Sequence, residues 1–331
     1  MLSRVAESLL WMSRYVERAE NVARFVDVNL NLMLEVTSTE QQWLPLVATT
    51  GDHELFERKY GQPTKDSVIR FLTLDEENPN SILSCLRAAR ENARSTREIT
   101  SSEMWEQLNT FYLFVAETAA RADNIADLHS FFARIKDGSH TFCGITDATM
   151  THGEAWHFMR MGRMIERADK TSRILDVKYF ILLRSAHEVG SPIDEIQWAA
   201  VLCSASAFEM YRKRHGRISP QHIVQFLMLD DEFPRAFRFC LNAARDSLRA
   251  ISKTPPGQPG SDPERLLGQL CSELASISAE AIIADGIHEF IDELQESLNS
   301  VGEGIHETFL ARRTPGSPLL QEASMRDARQ Q

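Results

Sequence analysis

The segment Arg14-Tyr-Val-Glu17-Arg18-Ala19-Glu20 returns later in the chain as Arg163-Met-Ile-Glu166-Arg167-Ala168-Asp169. The match runs on through Arg24 and Arg173, Asp27 and Asp176, and Val28 and Val177, all 149 positions apart. A chain that repeats itself over this distance builds its fold from two similar units. The repeat also marks which polar residues both copies hold.

Two further blocks extend it. Gln42-Trp43 answers to Gln197-Trp198, Phe56 to Tyr211 and Gly61 to Gly216, each 155 positions apart. At the same offset, Leu74-Asp75-Glu76-Glu77-Asn78-Pro79 answers to Leu229-Asp230-Asp231-Glu232-Phe233-Pro234, and Cys85 to Cys240. His129 and Phe131 answer to His288 and Phe290 at an offset of 159. The drift in offset implies small loop insertions. The expected units are residues 1–150 and 151–311, followed by a polar, mobile tail at 312–331.

Within each unit the periodicity is helical. In 2–35, Met12, Tyr15, Val16, Ala19, Val22, Val26, Leu30 and Met33 follow three-and-four spacing. The stretch 153–187 behaves alike. Residues 80–98 and 235–253 start just after Pro79 and Pro234, where a missing N–H costs little. Long helices are expected at 103–136 and 264–298. The run 254–263, with four prolines, reads as a surface loop. No alternating strand pattern exists, so the predicted fold is all-α, two tandem helical repeats packed as a bundle.

On a helical wheel, Arg14, Glu17, Asn21 and Arg24 fall opposite the apolar stripe, as do Arg163, Glu166, Lys170 and Arg173. Three readings are open. The first is surface pairing, Arg14–Glu17 at i,i+3 and Glu20–Arg24, Glu166–Lys170 and Asp169–Arg173 at i,i+4, each contributing about 0.2–0.5 kcal/mol. The second is a buried network in which the Glu–Arg sets brace the two copies. The third is a pocket with Glu17 and Glu166 as catalytic acid/base candidates. Arg14, Arg18, Arg24, Arg163, Arg167 and Arg173 would then hold an anion.

The acidic runs at Asp75/Glu77 and Asp230/Glu232 read as helix caps, with Arg90, Arg94, Arg245 and Arg249 placed to answer them. Thr151 and Glu154 fit a capping box. His152 and His157 are five apart and lack the HExxH pattern, and no metal site or cofactor is expected. His129 and His288 read as packed helix histidines, Trp43 and Trp198 as core or interface anchors.

Composition excludes several classes. At 331 residues and 43% apolar, the chain can bury a core. A net charge of −11 with no basic run argues against nucleic acid. Five cysteines without a CxxC pair read as reduced, mostly buried thiols. The charged N-terminus is no signal peptide, and no apolar run reaches the roughly 18 residues a membrane span needs. A cytoplasmic location is the expectation. Neither a GxxxxGK[ST] loop nor a GxSxG elbow is present.

The opening Met1-Leu-Ser-Arg-Val-Ala-Glu-Ser-Leu-Leu-Trp-Met-Ser-Arg-Tyr-Val-Glu-Arg-Ala-Glu-Asn21 resembles that of the bacterial alpha-E proteins, also called DUF403. Ser81 to Arg94, Ser102 to Leu108, Thr151 to Trp156 and Glu166 to Tyr179 resemble the same family. The resemblance covers about 1–311 and carries a Glu-Arg motif, here Glu17-Arg18 and Glu166-Arg167. It implies a genomic context of ATP-grasp-like amide ligases and transglutaminase-like proteins, and no established catalytic residue. The leading expectation is an accessory or binding subunit of an ATP-grasp-like amidoligase system. The alternatives are an enzyme acting on an amide- or carboxylate-containing peptide product, and a structural homo-oligomer.

Overall fold

The computed structural model describes residues 1–35, 43–121, 125, 127–177, 192–255, 258 and 260–311. The described residues form helices joined by short turns, with no strand among them. The first group is α1 (Ser3–Glu35), α2 (Leu44–Thr50), α3 (His53–Tyr60), α4 (Lys65–Thr73), α5 (Ile82–Ser95), α6 (Ser102–Arg121) and α7 (Leu128–Thr149). The second is α8 (Glu154–Val177), α9 (Pro192–Ser204), α10 (Phe208–His215), α11 (Pro220–Val224), α12 (Phe237–Ser252), α13 (Asp262–Ser276), α14 (Ala279–Asp285) and α15 (Ile287–Ile305). Single π-helical turns follow α11 at Gln225–Leu229 and α15 at His306–Leu310.

Packing follows the order of the chain. α1 lies against α5 and α7, α5 against α6, and α6 against α7. In the second group α8 lies against α12 and α15, α12 against α13, and α13 against α15. The two sets join along α1 and α8, and the short helices cross over: α2 touches α8 and α9 touches α1. One continuous apolar cluster runs from Ala6 to Leu310 through both sets.

The approach of α1 to α8 depends on small residues. A Cβ on Gly162 would sit 2.5 Å from the Leu10 carbonyl oxygen and 2.9 Å from Ser13 Oγ. Ser13, itself buried, donates to the Met159 carbonyl at 2.7 Å. Ser13 and Gly162 are 149 positions apart, so the repeat places a small residue on both sides of the contact.

Several sequence expectations change. The stretch 103–136 is not one helix: α6 ends at Arg121, and Asp127 caps a new helix by accepting from Ser130 N at 3.1 Å. The stretch 264–298 divides into three, interrupted by the Ser278 cap and by Gly286 at φ +105°. The expected loop at 254–263 closes early, because Ser261 and Glu264 form a capping box that starts α13. Thr151 and Glu154 form no such box; Glu154 instead meets the N-terminal ammonium at 3.3 Å. The end of the 153–187 stretch beyond Val177 and the tail 312–331 lie outside the described residues.

Of the three readings open for the charged face of α1, the buried network is the one the structure shows. Glu17, Glu20, Asn21 and Arg24 are buried, because α8 covers the side opposite the apolar stripe. α1 is a central helix packed on several sides, which an amphipathic pattern with one apolar stripe does not reveal.

Candidate functional site

The two Glu-Arg pairs face each other across the α1–α8 contact, and each glutamate is taken by the arginine of the other pair. Arg18 donates from Nε to Glu166 Oε1 at 2.7 Å and from Nη2 to Oε2 at 3.0 Å. Arg167 donates from Nε to Glu17 Oε1 at 2.9 Å and from Nη2 to Oε2 at 2.7 Å. Both are bidentate pairs, the geometry in which a planar guanidinium binds a carboxylate best. Glu17 is 1% and Glu166 0% exposed.

Each carboxylate has further cations. Arg14 Nε donates to Glu166 at 2.9 Å, and Lys170 stands 3.7 Å from it. Arg235 Nη1 donates to Glu17 at 3.1 Å and also pairs with Glu20. Glu20 additionally accepts from Arg24 Nη2 at 2.7 Å and from Ser139 Oγ at 2.6 Å. Burial by itself would raise the glutamate pKa values. The arginines outweigh it: Arg167 and Arg235 hold Glu17 below the ordinary value, and Arg18, Lys170 and Arg14 hold Glu166 well below it. These groups stay ionised at neutral pH, with their oxygens occupied.

The predicted residues divide accordingly. Arg14, Arg18, Arg24 and Arg167 join the network with Glu17 and Glu166. Arg14 does so by crossing to Glu166 instead of pairing with Glu17 within its own helix. Arg173 pairs with Asp169 at 2.9 Å, as the i,i+4 spacing suggested. Arg163 departs from the pattern: its nearest acid is Asp147 at 3.7 Å, and its buried Nε has no partner. As acid/base candidates Glu17 and Glu166 fit poorly, because a general acid at neutral pH needs a raised pKa and a path to its substrate. Arg235, Ser139 and His140 were not foreseen. At the offset of 155, Arg235 corresponds to Asn80, so the internal comparison hid its charge.

Other pairs are also matched in both copies. His129 Nδ1 meets Asp27 at 2.7 Å, and His288 Nδ1 meets Asp176 at 2.7 Å. Cys85 and Cys240 lie under Pro79 and Pro234, donating to their carbonyls, and burial pushes each thiol up to about 12. Gly61 and Gly216 end α3 and α10 at φ +68° and +75°. Asp75 and Asp230 do not cap the helices that follow, whose N-caps are Ser81 and Ala236, and among the described contacts Arg90, Arg94, Arg245 and Arg249 do not answer them. Asp75 is answered by Lys59 and Tyr60, each at 2.8 Å, and Asp230 by Arg214, while both accept from loop N–H groups.

Asp176, His288 and Asp292 place ligand-type atoms within 4.8 Å of one another. Their imidazole spends both nitrogens on the carboxylates, at 2.7 and 3.5 Å, and charge neutralisation accounts for the group. A more open feature lies beside Glu166. There a cleft of about 660 Å³ is lined by residues of α1, α8, the end of α15 and its π turn. Among the described residues, no single helix is long and apolar enough to cross a membrane.

Three curated relatives share 26% identity with this chain over 345 aligned positions. They are the uncharacterised proteins Mb2597 of Mycobacterium bovis and MT2643 and Rv2567 of Mycobacterium tuberculosis. The match covers 96% of this chain but 38% of each relative. No solved structure matches it. Residues 1–310 match a family described as a predicted alpha-helical domain with a conserved ER motif. Of the four ER sequences in that span, the reciprocally paired Glu17-Arg18 and Glu166-Arg167 are the two that occupy equivalent positions in the repeat, and the chain belongs to the Alpha-E family.

Proposed function

We propose that this chain is a non-catalytic accessory or binding subunit of a cytoplasmic ATP-grasp-like amidoligase system that makes or modifies peptide bonds. One observation carries the non-catalytic part. Glu17 and Glu166, the groups best placed by sequence to do acid/base work, are sealed and neutralised by bidentate arginines. Their chemistry is that of a brace.

The participation of a second component draws on the relatives. Each joins its Alpha-E-like stretch to more than as much chain again, so in those proteins the helical unit works in covalent company. The ligase and the transglutaminase-like protein enter through the family's genomic context. The reading is tested by co-expressing this chain with an ATP-grasp-like ligase, purifying through a tag on either partner, and following ATP turnover. Association with altered turnover supports it. Separate elution with unchanged turnover removes it.

A further inference from the structure

The repeat that pairs the two ER sequences also pairs two cavities. The open cleft is lined by Arg14, Gly302 and His306 among others. At offsets of 149 and 159, these correspond to Arg163, Cys143 and Asp147, which line a second cavity of about 10 Å³. The second cavity has room for about one water; the first, at about 660 Å³, is the size of a small-ligand site.

The contents explain the difference. On the closed side Arg24 is fully engaged: Nε and Nη2 donate to Glu20, Nη1 to Ser206, and Nη2 also meets His140 at 3.0 Å. Arg235 reaches Glu17 and Glu20 from the loop before α12. On the open side the corresponding positions hold shorter or absent side chains. Asn80 stands for Arg235, and Gly302, whose Cβ would meet nothing within 4 Å, stands for Cys143. Arg173, the counterpart of Arg24, spends only Nε on Asp169, and Arg14 spends only Nε on Glu166. Among the described residues the Nη groups of both arginines make no hydrogen bond. Two guanidinium groups therefore keep Nη donors in one cleft, Arg14 stacked on Trp11 and Arg173 beside Asp169, with Lys170 paired to the same aspartate.

The facing wall has the opposite sign. Glu303 and Glu307, both exposed, project from the end of α15 and the π turn. A cleft with guanidinium groups on one wall and carboxylates on the other is matched by a ligand that carries both charges. We propose that this cleft binds the carboxylate-bearing end of a short peptide or amino acid, with Arg14 and Arg173 holding the carboxylate and Glu303 and Glu307 holding the ammonium. The assignment rests on the accessory-subunit reading and supplies its ligand class, the carboxylate or amine component of an amide-forming reaction.

The experiment is titration calorimetry of the full chain with the dipeptide glutamyl-glutamate, its N-acetyl form, its C-terminal amide and inorganic phosphate. The dipeptide binds; acetylation and amidation each weaken it about tenfold, the worth of one charge-assisted hydrogen bond. Arg173→Gln weakens it by about the same factor. Gly302→Leu, whose Cβ meets nothing within 4 Å, puts an apolar side chain into the cleft and abolishes binding while the melting temperature holds. Asn80→Arg does the same by the closed side's own device. Arg121→Gln, far out on α6, leaves binding unchanged. Undetectable dipeptide binding overturns the proposal, as does binding that ignores Gly302→Leu. Phosphate competing as well as the dipeptide, with no loss on acetylation, means an adventitious anion only and overturns the peptide assignment. Ligase association measured on Gly302→Leu keeps the two ideas apart. Association without dipeptide binding by the native chain leaves the accessory reading standing and removes this one.

Discussion

Glu166→Gln removes one negative charge and almost no volume, so its effect isolates the electrostatic brace. Glu166 is wholly buried and accepts two hydrogen bonds from Arg18 and one from Arg14, with Lys170 at 3.7 Å. Losing one partner of a buried ion pair costs about 3–5 kcal/mol. The three cations keep side-chain exposures of 9–22%, so water shares part of the load and the lower end, about 3 kcal/mol, applies. For a chain of this size that is a fall in melting temperature of about 4 °C. The matching surface change, Glu76→Gln at an exposed pair with Arg87, costs well under about 1 kcal/mol.

The pH dependence carries a second signature. The folded pKa of Glu166 is depressed below the ordinary 4.5 by Arg18, Lys170 and Arg14, against the opposing effect of burial. Its stabilisation is therefore fully present above about pH 4.5 and is lost as the pH falls through the folded value. Scanning calorimetry from pH 7 downward shows the native chain losing stability below that point, with a shallower loss in Glu166→Gln. A melting temperature unchanged within about 1 °C at pH 7, with parallel acid limbs, refutes the reasoning.

Other outcomes follow from the same contacts. Gly162→Ala forces a methyl group against the Leu10 carbonyl and costs about 1–3 kcal/mol by urea denaturation, whereas Gly144→Ala, where a Cβ meets nothing, does not destabilise. The hydrogen bond that His288 donates to Asp176 raises its pKa, so NMR titration places it above 6.5, and Asp176→Asn returns it toward that value. With a disulfide reagent at pH 8, exposed Cys203 reacts before Cys85 and Cys240, whose buried thiols lie near 12; Cys203→Ser removes the fast phase.

Helical character was readable because it is local. Apolar residues at three-and-four spacing and prolines at helix starts act within one turn or two. The breaks inside 103–136 and 264–298 escaped because Asp127 and Ser278 resemble ordinary polar helix residues until their side chains are seen turned onto the backbone. The burial of this side of α1 stayed one of three open readings for a different reason. Glu17 and Arg24 have the composition of a solvated face, and only the arrival of α8, more than a hundred residues later, turns that face inward. The ER repeat named the bracing residues but not their partners. Intrahelical spacing favoured Arg14 with Glu17, whereas Arg14 reaches across to Glu166. Arg235 was invisible because its counterpart, Asn80, carries no charge, and that asymmetry separates the closed cavity from the open cleft.

The two repeated ER sequences, Glu17-Arg18 and Glu166-Arg167, hold the chain together by exchanging partners across α1 and α8. A double-mutant cycle on Arg18 and Glu166, built from Arg18→Met, Glu166→Gln and the pair, measures it by urea denaturation at pH 7. Residues within one buried network couple by about 0.5–3 kcal/mol, and the bidentate geometry places this pair near about 2 kcal/mol. Equal coupling for Arg167 and Glu17 completes the reciprocal brace. Single effects that add to within about 0.3 kcal/mol in both cycles contradict it.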